Sequence, residues 1–460
     1  MLRKIIYSFA VFSVFIIVFS SIAQVKAINT NSSERLVASI EFSPLLFLAS
    51  PDSKNVLYLA QEDNKRFLII NGKKGKKYDS IVSVIVFSPD SQRVVYGAQS
   101  DKKFFVVVDG KEGKQYDSIG SAIIFSPDSR RLLFSVREGN KGFVVLDGTE
   151  GKKYDGIGTN LVFSPDSRRL AYGIKDNNKY SVVIDGKEGK FYDAVSSSII
   201  FSPDGSRVAY WARSENKSFL VIDGQEQKRY DAIGPVISFS PDGRRIAFVA
   251  QSGNKSMVVV DGQEGKRYEA IGNALIFSPD SKHIMYAAQS GNKRFVIVDG
   301  QEGKHYDGIG TTLIFSPDSK RQAYVAQTEN KRLVVVDGKE SKRYDHIGNN
   351  TLIFSPDSQR VAYAVESEKK RFVVLDGREE NQYDDIGNSS LVFSPDSKHL
   401  SYIALKENKQ FVVIDAKEEN HYDNITVLTR GKIVFDSLDR FHYLAMKEKN
   451  IYLVEVKIAK

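Results

Sequence analysis

Phe87-Ser88-Pro89-Asp90 recurs along this chain of 460 residues at almost constant intervals. Intact copies begin at Phe125, Phe163, Phe201, Phe239, Phe277, Phe315, Phe354 and Phe393, and degenerate copies are Ser50-Pro51-Asp52 and Phe435-Asp436-Ser437-Leu438-Asp439. The prolines are 38 residues apart from Pro51 to Pro317 and 39 residues apart in the next two intervals. A fixed period of this length is typical of arrays whose units fold only by stacking on their neighbours. The motif therefore decides the class of fold.

One repeat contains four short apolar runs, each bounded by turn residues. A clean example has its runs at 273–277, 283–288, 295–298 and 305–309. Ser278-Pro279-Asp280-Ser281 separates the first two runs, because proline presets the backbone for a β-turn. Asp299-Gly300 separates the last two and is a strong hairpin signal. The pattern predicts a four-stranded antiparallel meander in each repeat.

A single sheet of this kind cannot cover its own faces, so the repeats must pack together. The third run is apolar at consecutive positions, as from Phe104 to Val108, and therefore needs a neighbour on both sides. The fold prediction is an all-β propeller of about eleven four-stranded blades, as one large ring or as two propellers in tandem. The unbroken period favours one ring. A division would fall near residues 194–245, where the repeats are least regular.

The stretch Phe277-Ser278-Pro279-Asp280-Ser281-Lys282-His283-Ile284-Met285-Tyr286 resembles the WD40-like repeat of TolB-type β-propellers. Units of that family carry an aromatic-Ser-Pro-Asp-Gly turn. The resemblance extends from about Leu36 to the end of the chain, and it implies propeller blades. Four features differ from the family: glycine occupies the fifth motif position only at Gly205 and Gly243, the aromatic residue is Phe throughout where the family often has Trp, the units are shorter than usual, and the N-terminal domain of TolB has no counterpart.

The two ends of the array are predicted to complete one blade together. The last repeat has runs at 432–435, 441–446 and 451–456 and then stops. Leu36 to Phe42 precedes the first repeat and is expected to supply the missing fourth strand. Pairing of these segments would close the ring.

The first 27 residues differ from the array. Arg3 and Lys4 precede an apolar run from Ile5 to Ile22, and small residues follow it. These features predict a signal peptide over residues 1–27. An uncleaved membrane anchor is the alternative, since the run approaches the length that spans a bilayer. Residues 28–35 are interpreted as a lead-in and 36–460 as the array. Both alternatives predict an extracytoplasmic location, whether periplasmic, secreted or at the cell surface.

Composition excludes several kinds of site. The chain has no cysteine, so disulfides, thiolate metal sites and cysteine nucleophiles are excluded. The net charge is +8, and Arg3, Lys4 and Lys26 of the leader contribute three of these charges. Acidic and basic residues alternate closely in the array, which argues against nucleic acid as a partner. Membrane contact is expected only through the N-terminal segment, if it is retained.

A lysine recurs in the turn after the second strand of nearly every repeat. These lysines are Lys65, Lys103, Lys141, Lys179, Lys217, Lys255, Lys293, Lys331, Lys370 and Lys409. In a ring they would form a crown of ammonium groups around one mouth. The crown is a candidate binding site for a polyanion, such as an acidic glycan or an acidic protein surface. The alternative is a set of solvated turn residues, because acids share several of these turns.

Other recurring residues are interpreted as structural. The aspartates of the motif suit turns better than calcium loops, because Asp-x-Asp-x-Asp-Gly spacing is missing. Tyr116-Asp117 and its copies are too repetitive for catalysis. The histidines lack zinc-site spacing; they are His283, His305, His346, His399, His421 and His442. No catalytic residue, cofactor or metal ligand is therefore predicted.

The function predicted from the sequence is an exported, non-enzymatic propeller that binds or scaffolds proteins at the cell envelope. Its partner is expected to be a protein or another envelope component. Acidic-glycan binding through the lysine crown is one alternative. A glycan-active hydrolase or lyase with its site in the funnel is the other, and it would need an asymmetric cluster of acids or histidines. The divergent positions to search are Trp211, Arg213, His346 and Asp385.

Overall fold

The computed structural model describes residues 29–426 and 432–459. The predicted signal peptide or anchor lies outside them. The described residues form eleven sheets, each an antiparallel meander of four strand positions, and the sheets form one ring. The predicted β-propeller is therefore confirmed, and it is a single ring of eleven blades. No helix within these two ranges is long and apolar enough to cross a bilayer.

The strand positions are named A to D from the axis outwards, and the blades are numbered from Leu46. The A strands are Leu46–Ala49, Ser80–Phe87, Ser118–Phe125, Gly156–Phe163, Ala194–Val195 with Ile200–Phe201, Ala232–Phe239, Ala270–Phe277, Gly308–Phe315, His346–Ile347 with Ile353–Phe354, Asp385–Ile386 with Val392–Phe393, and Val434–Phe435. The B strands are Val56–Glu62, Val94–Ser100, Leu132–Glu138, Leu170–Asp176, Val208–Ser214, Ile246–Ser252, Ile284–Ser290, Gln322–Thr328, Val361–Ser367, Leu400–Lys406 and Arg440–Lys447.

The two outer positions follow the same order. The C strands are Lys65–Ile70, Lys103–Val108, Lys141–Leu146, Lys179–Ile184, Lys217–Ile222, Lys255–Val260, Lys293–Val298, Lys331–Val336, Lys370–Leu375, Lys409–Ile414 and Asn450–Ile458. The D strands are Lys73–Lys74, Lys111–Glu112, Thr149–Glu150, Lys187–Glu188, Gln225–Tyr230, Gln263–Glu264, Gln301–Glu302, Lys339–Glu340, Arg378–Glu379, Lys417–Glu418 and Thr30–Ser39. The A strands of neighbouring blades lie against one another, as 80–87 and 118–125 do, which places them at the axis.

The core consists of apolar layers between neighbouring blades. Val144 and Val145, adjacent in one C strand, are both buried. Val144 packs against Leu161 and Phe163 of blade 4, whereas Val145 packs against Val95 and other residues of blade 2. Successive side chains of a strand point to opposite faces, so a C strand between two blades must be apolar at every position. The prediction that blades cover one another is therefore confirmed.

The Ser-Pro-Asp motif builds the turn from strand A to strand B and ties it to the next blade. In blade 3, the buried Ser126 hydroxyl donates to Asp128 at 2.5 Å and accepts the Arg131 N–H at 2.9 Å. The Asp128 N–H donates to Ser167 Oγ of blade 4 at 2.9 Å. Ser129, which is equivalent to Ser167, has φ of 65°, a left-handed value at which glycine is usual. Serine stands there because its hydroxyl makes the link between blades.

The N-terminal strand closes the ring, as predicted. Thr30–Ser39 pairs antiparallel with Asn450–Ile458 and is the D strand of blade 11. The strand begins at Thr30, so part of the segment interpreted as a lead-in is paired backbone. Most side chains from Asn31 to Leu36 are exposed. An outer strand needs backbone partners and no apolar face, which is why its polar sequence did not indicate a strand.

Blades 9 and 10 carry a glutamate, Glu380 and Glu419, where most other blades have glycine. Glu380 of blade 9 is partly buried and accepts a hydrogen bond from Tyr402 Oη at 2.9 Å. Burial raises the pKa of Glu380, and the Tyr402 hydrogen bond opposes it only in part. In blade 4 the corresponding residue is Gly189, which lies beside the Tyr210 hydroxyl. Glu380 thus places at this position a carboxyl group whose charge is costly to bury.

We expect Glu380→Gln to stabilise the protein at neutral and alkaline pH. Because the folded-state pKa is raised, the acid favours folding only while protonated, and stability falls as pH rises from the ordinary glutamate pKa through the folded value. Glutamine keeps the acceptor for Tyr402 without the charge. Urea denaturation from pH 4 to 8 should show a variant advantage that grows with pH. As a control, Glu419→Gln removes an acid that lies 3.6 Å from the Lys417 ammonium and should bring no such gain.

A candidate binding arc on the lysine face

The ring has two faces with different turns. The face that carries the B–C turns and the D–A links is called the lysine face, and the face with the Ser-Pro-Asp turns is called the Pro-Asp face. The predicted lysine crown lies on the lysine face, because each of its lysines begins a C strand. The D–A links, which contain the recurring Tyr-Asp pairs, end on the same face.

Every lysine of the predicted crown is ion-paired. Lys103 Nζ lies 2.7 Å from Asp117 Oδ1, and Asp117 Oδ2 accepts the Gly139 N–H of blade 3 at 2.9 Å. The hydrogen bond from Lys103 holds the pKa of Asp117 below its usual value. The full set is Lys65–Asp79, Lys103–Asp117, Lys141–Asp155, Lys179–Asp193, Lys217–Asp231, Lys255–Glu269, Lys293–Asp307, Lys331–Asp345, Lys370–Asp384 and Lys409–Asp423. The crown therefore includes its own counterions, and each pair joins neighbouring turns.

The recurring tyrosines and most histidines have structural positions. Tyr116 is buried and packs edge-on against Phe143 of the next blade, and burial raises its pKa to about 12. His283 and His399 stand where most other blades have arginine, with Nδ1 2.6 Å from Oδ2 of Asp299 and Asp415, respectively. His305 and His421 stack on phenylalanine rings. Among the residues that the structure describes, no three His, Asp or Glu side chains are grouped to hold a metal ion.

His346 and Asp385, two of the four divergent positions, belong to one side-chain network on the lysine face. Arg371 of blade 9 donates from Nη1 to Asp385 of blade 10 and from Nε to Glu366 at 3.1 Å. His346 and Glu366 are register partners in strands A and B. Arg332 of blade 8 donates from Nη1 to His346 Nε2 at 3.0 Å. Five ionisable groups thus connect three consecutive blades.

The equivalent positions elsewhere in the ring are mostly small or neutral. Blade 6 has Ala232, Gln251 and Ser256 where blade 9 has His346, Glu366 and Arg371. Trp211 and Arg213 lie in blade 5, away from this network, and Trp211 packs into the layer between blades 5 and 6. The structure therefore brings together two of the four divergent positions and adds Arg332, Glu366 and Arg371, which the sequence analysis did not single out.

The electrostatics of the network favour fixed hydrogen bonding. Burial lowers the pKa of His346, and the Arg332 guanidinium lowers it further, so the imidazole is neutral at pH 7. The hydrogen bond to Asp385 raises the pKa of Arg371. Both carboxylates of the network accept hydrogen bonds from the one guanidinium of Arg371.

Two clefts flank the network at the inner end of the blades. One, of about 290 Å³, lies between blades 7 and 8 and is lined by Ile271, Ala287, Arg294 and Leu313 among others. The second, of about 420 Å³, adjoins blades 10 and 11 and is lined by Asp385, Asn388 and Gln410 among others. The network and the two clefts, which lie between blade 7 and blade 11, are together called here the binding arc.

Solved structures similar to this chain, two of them named as propellers, have low sequence identity to it. Neither a protein-family model nor a curated protein matches the sequence. A eukaryotic initiation factor structure is 14% identical, with a TM-score of 0.41, over 79% of this chain and 95% of that chain. TolB from Acinetobacter baumannii is 12% identical, with a TM-score of 0.25, over 59% and 78%. The β-propeller domain of the Trilobed protease from Pyrococcus furiosus is 15% identical, with a TM-score of 0.28, over 56% and 96%. This likeness concerns the fold alone.

Proposed function

We propose that this chain is an exported, non-enzymatic binding platform that holds a protein partner on the binding arc. The observation that carries the proposal is the asymmetry of the lysine face. Ten blades repeat the same lysine-acid pairs, yet the Arg332-to-Asp385 network and its two clefts occur on one side of the ring. The arc thus presents hydrogen-bond donors, hydrogen-bond acceptors and apolar walls to a partner in fixed positions.

Two features support binding over catalysis. The carboxylates of Glu366 and Asp385 are both bound to Arg371, so these two described acids of the arc do not form an acid and base pair with separate tasks. The neutral His346 accepts from Arg332 through Nε2 and is held in one orientation. Acidic-glycan binding through the lysine crown stays a prediction with a weaker basis, because each crown lysine already pairs with an acid. The apolar leader supports export.

Photo-crosslinking in the native cell tests the platform. A photoreactive residue at Asn349, exposed on the inner side of blade 9, is expected to capture a discrete protein, and Arg371→Ala should reduce the yield about tenfold. The control is the same residue at Thr159, exposed on strand A of blade 4, where little capture is expected. Equal capture from both positions, or none from Asn349, would contradict the proposal.

A further inference from the structure

The cleft between blades 7 and 8 has mainly apolar walls, and a small side chain in one wall leaves space open. Ala287 occupies the position that holds Trp211 in blade 5, Val249 in blade 6 and Val325 in blade 8. Ile271 and Ala274 of blade 7 and Ile309 and Leu313 of blade 8 complete the walls. The space left is about 290 Å³, below the range of drug-sized sites. It suits a ligand group of a few carbon atoms.

Arg294 lines this cleft without an anionic partner among the described residues. Its Nε donates to Gln289 Oε1 at 3.3 Å. The acids nearby are engaged elsewhere: Asp307 Oδ1 lies 2.6 Å from Lys293 Nζ, and Glu269 Oε2 accepts the Gly291 N–H at 2.8 Å. The corresponding guanidinium of blade 9, Arg371, binds two carboxylates of the protein itself. The positive charge of Arg294 is therefore available to an external anion, whereas that of Arg371 is paired with carboxylates of the protein itself.

We propose that this cleft binds a carboxylate attached to a short aliphatic group, with Arg294 on the carboxylate and the aliphatic group between Ile271, Ala287 and Leu313. The guanidinium is planar and matches a carboxylate with two parallel hydrogen bonds. The apolar walls take the carbon chain, and Asn273 and Thr311 are exposed beside them. The inference rests on the proposed function: on this platform the group would be the C-terminal residue of the bound protein.

Peptide binding measured by fluorescence anisotropy tests the inference on the full chain. The probe is a fluorescein-labelled peptide that ends in Gly-Ala-Leu with a free carboxylate, and the comparison is the same peptide with a C-terminal amide. The free form should bind at least tenfold more tightly, since a charged hydrogen-bonded pair is lost on amidation. Equal binding of the two forms, or no binding of either, would overturn the inference.

Two variants separate this cleft from the rest of the arc. Ala287→Trp fills the cleft with the side chain that blade 5 already accommodates at Trp211, and Arg294→Gln removes the charge. Each should reduce binding of the free-acid peptide at least tenfold, whereas Arg137→Gln, which changes a lysine-face arginine in blade 3, should not. Unchanged binding in both cleft variants would overturn the inference. Capture from Asn349 is measured independently, so a failed cleft and a failed platform give different results.

Discussion

A disulfide between cysteines placed at Ser33 and Glu455 is expected to raise the free energy of unfolding by about 4–5 kcal/mol. The two residues are direct register partners in the strand pair that closes the ring, and both are exposed. Opposite residues of an antiparallel pair lie within the Cα separation that a disulfide needs. The bond would close a loop that contains almost the whole ring, which is where cross-linking removes most entropy from the unfolded chain. Because the natural chain has no cysteine, no competing disulfide can form.

The measurement is urea denaturation of the double variant under oxidising and reducing conditions. The reduced protein is the internal reference, since it differs only in the bond. A Ser33 and Lys457 cysteine pair is the matched control, because Lys457 is the register partner of Asn31 and lies two residues away. That pair should stay reduced. If the Ser33–Glu455 disulfide forms but does not shift the midpoint of urea denaturation, this would contradict closure of the ring by the N-terminal strand.

His442→Ala is expected to lower the free energy of unfolding by about 2–4 kcal/mol. His442 is 1% exposed and stands where blade 3 has the apolar Leu133. Its Nδ1 lies 2.6 Å from Asp436 Oδ2, and its Nε2 lies 2.8 Å from the backbone carbonyl of Asp52 in blade 1. Each ring nitrogen thus lies within hydrogen-bond distance of an oxygen atom. The side chain therefore ties blade 11 to blade 1, and its loss leaves both a cavity and unsatisfied acceptors.

The pH dependence of this loss follows from Asp436. Burial raises the pKa of Asp436, but the His442 hydrogen bond and the Lys54 ammonium outweigh it, so the pKa lies below its usual value. A lowered folded-state pKa gives stability that is present above the ordinary aspartate pKa and is lost as pH falls through the folded value. The difference in the free energy of unfolding between the wild type and His442→Ala should therefore become smaller as the pH falls into the acid range. The control is His421→Ala, which removes a half-exposed ring stacked on Phe411 and should cost under about 1 kcal/mol.

The candidate site was predictable only in part. His346 and Asp385 were recognisable as departures from the repeat. That they belong to one network depends on Arg371, which bridges neighbouring blades. The acids that pair with the crown lysines could also be seen in the sequence, since one of them follows each lysine at the D–A link. Their pairing, as in Lys103–Asp117, depends on how the chain returns to the same face after the D strand. The repeated sequence motifs do not by themselves indicate that the chain returns to the lysine face after the D strand.

The sequence alone determined the blade: four short strands, the Ser-Pro-Asp and Asp-Gly turns, apolar C strands and a terminal repeat that needs a partner. These features follow from backbone geometry and side-chain periodicity within one repeat. The tertiary structure decided that eleven blades form one ring, that the crown lysines are paired, and that the binding arc lies at blades 7 to 11. Those outcomes depend on contacts between blades, and contacts across a stacking interface are set by the angle between sheets, which no single repeat encodes.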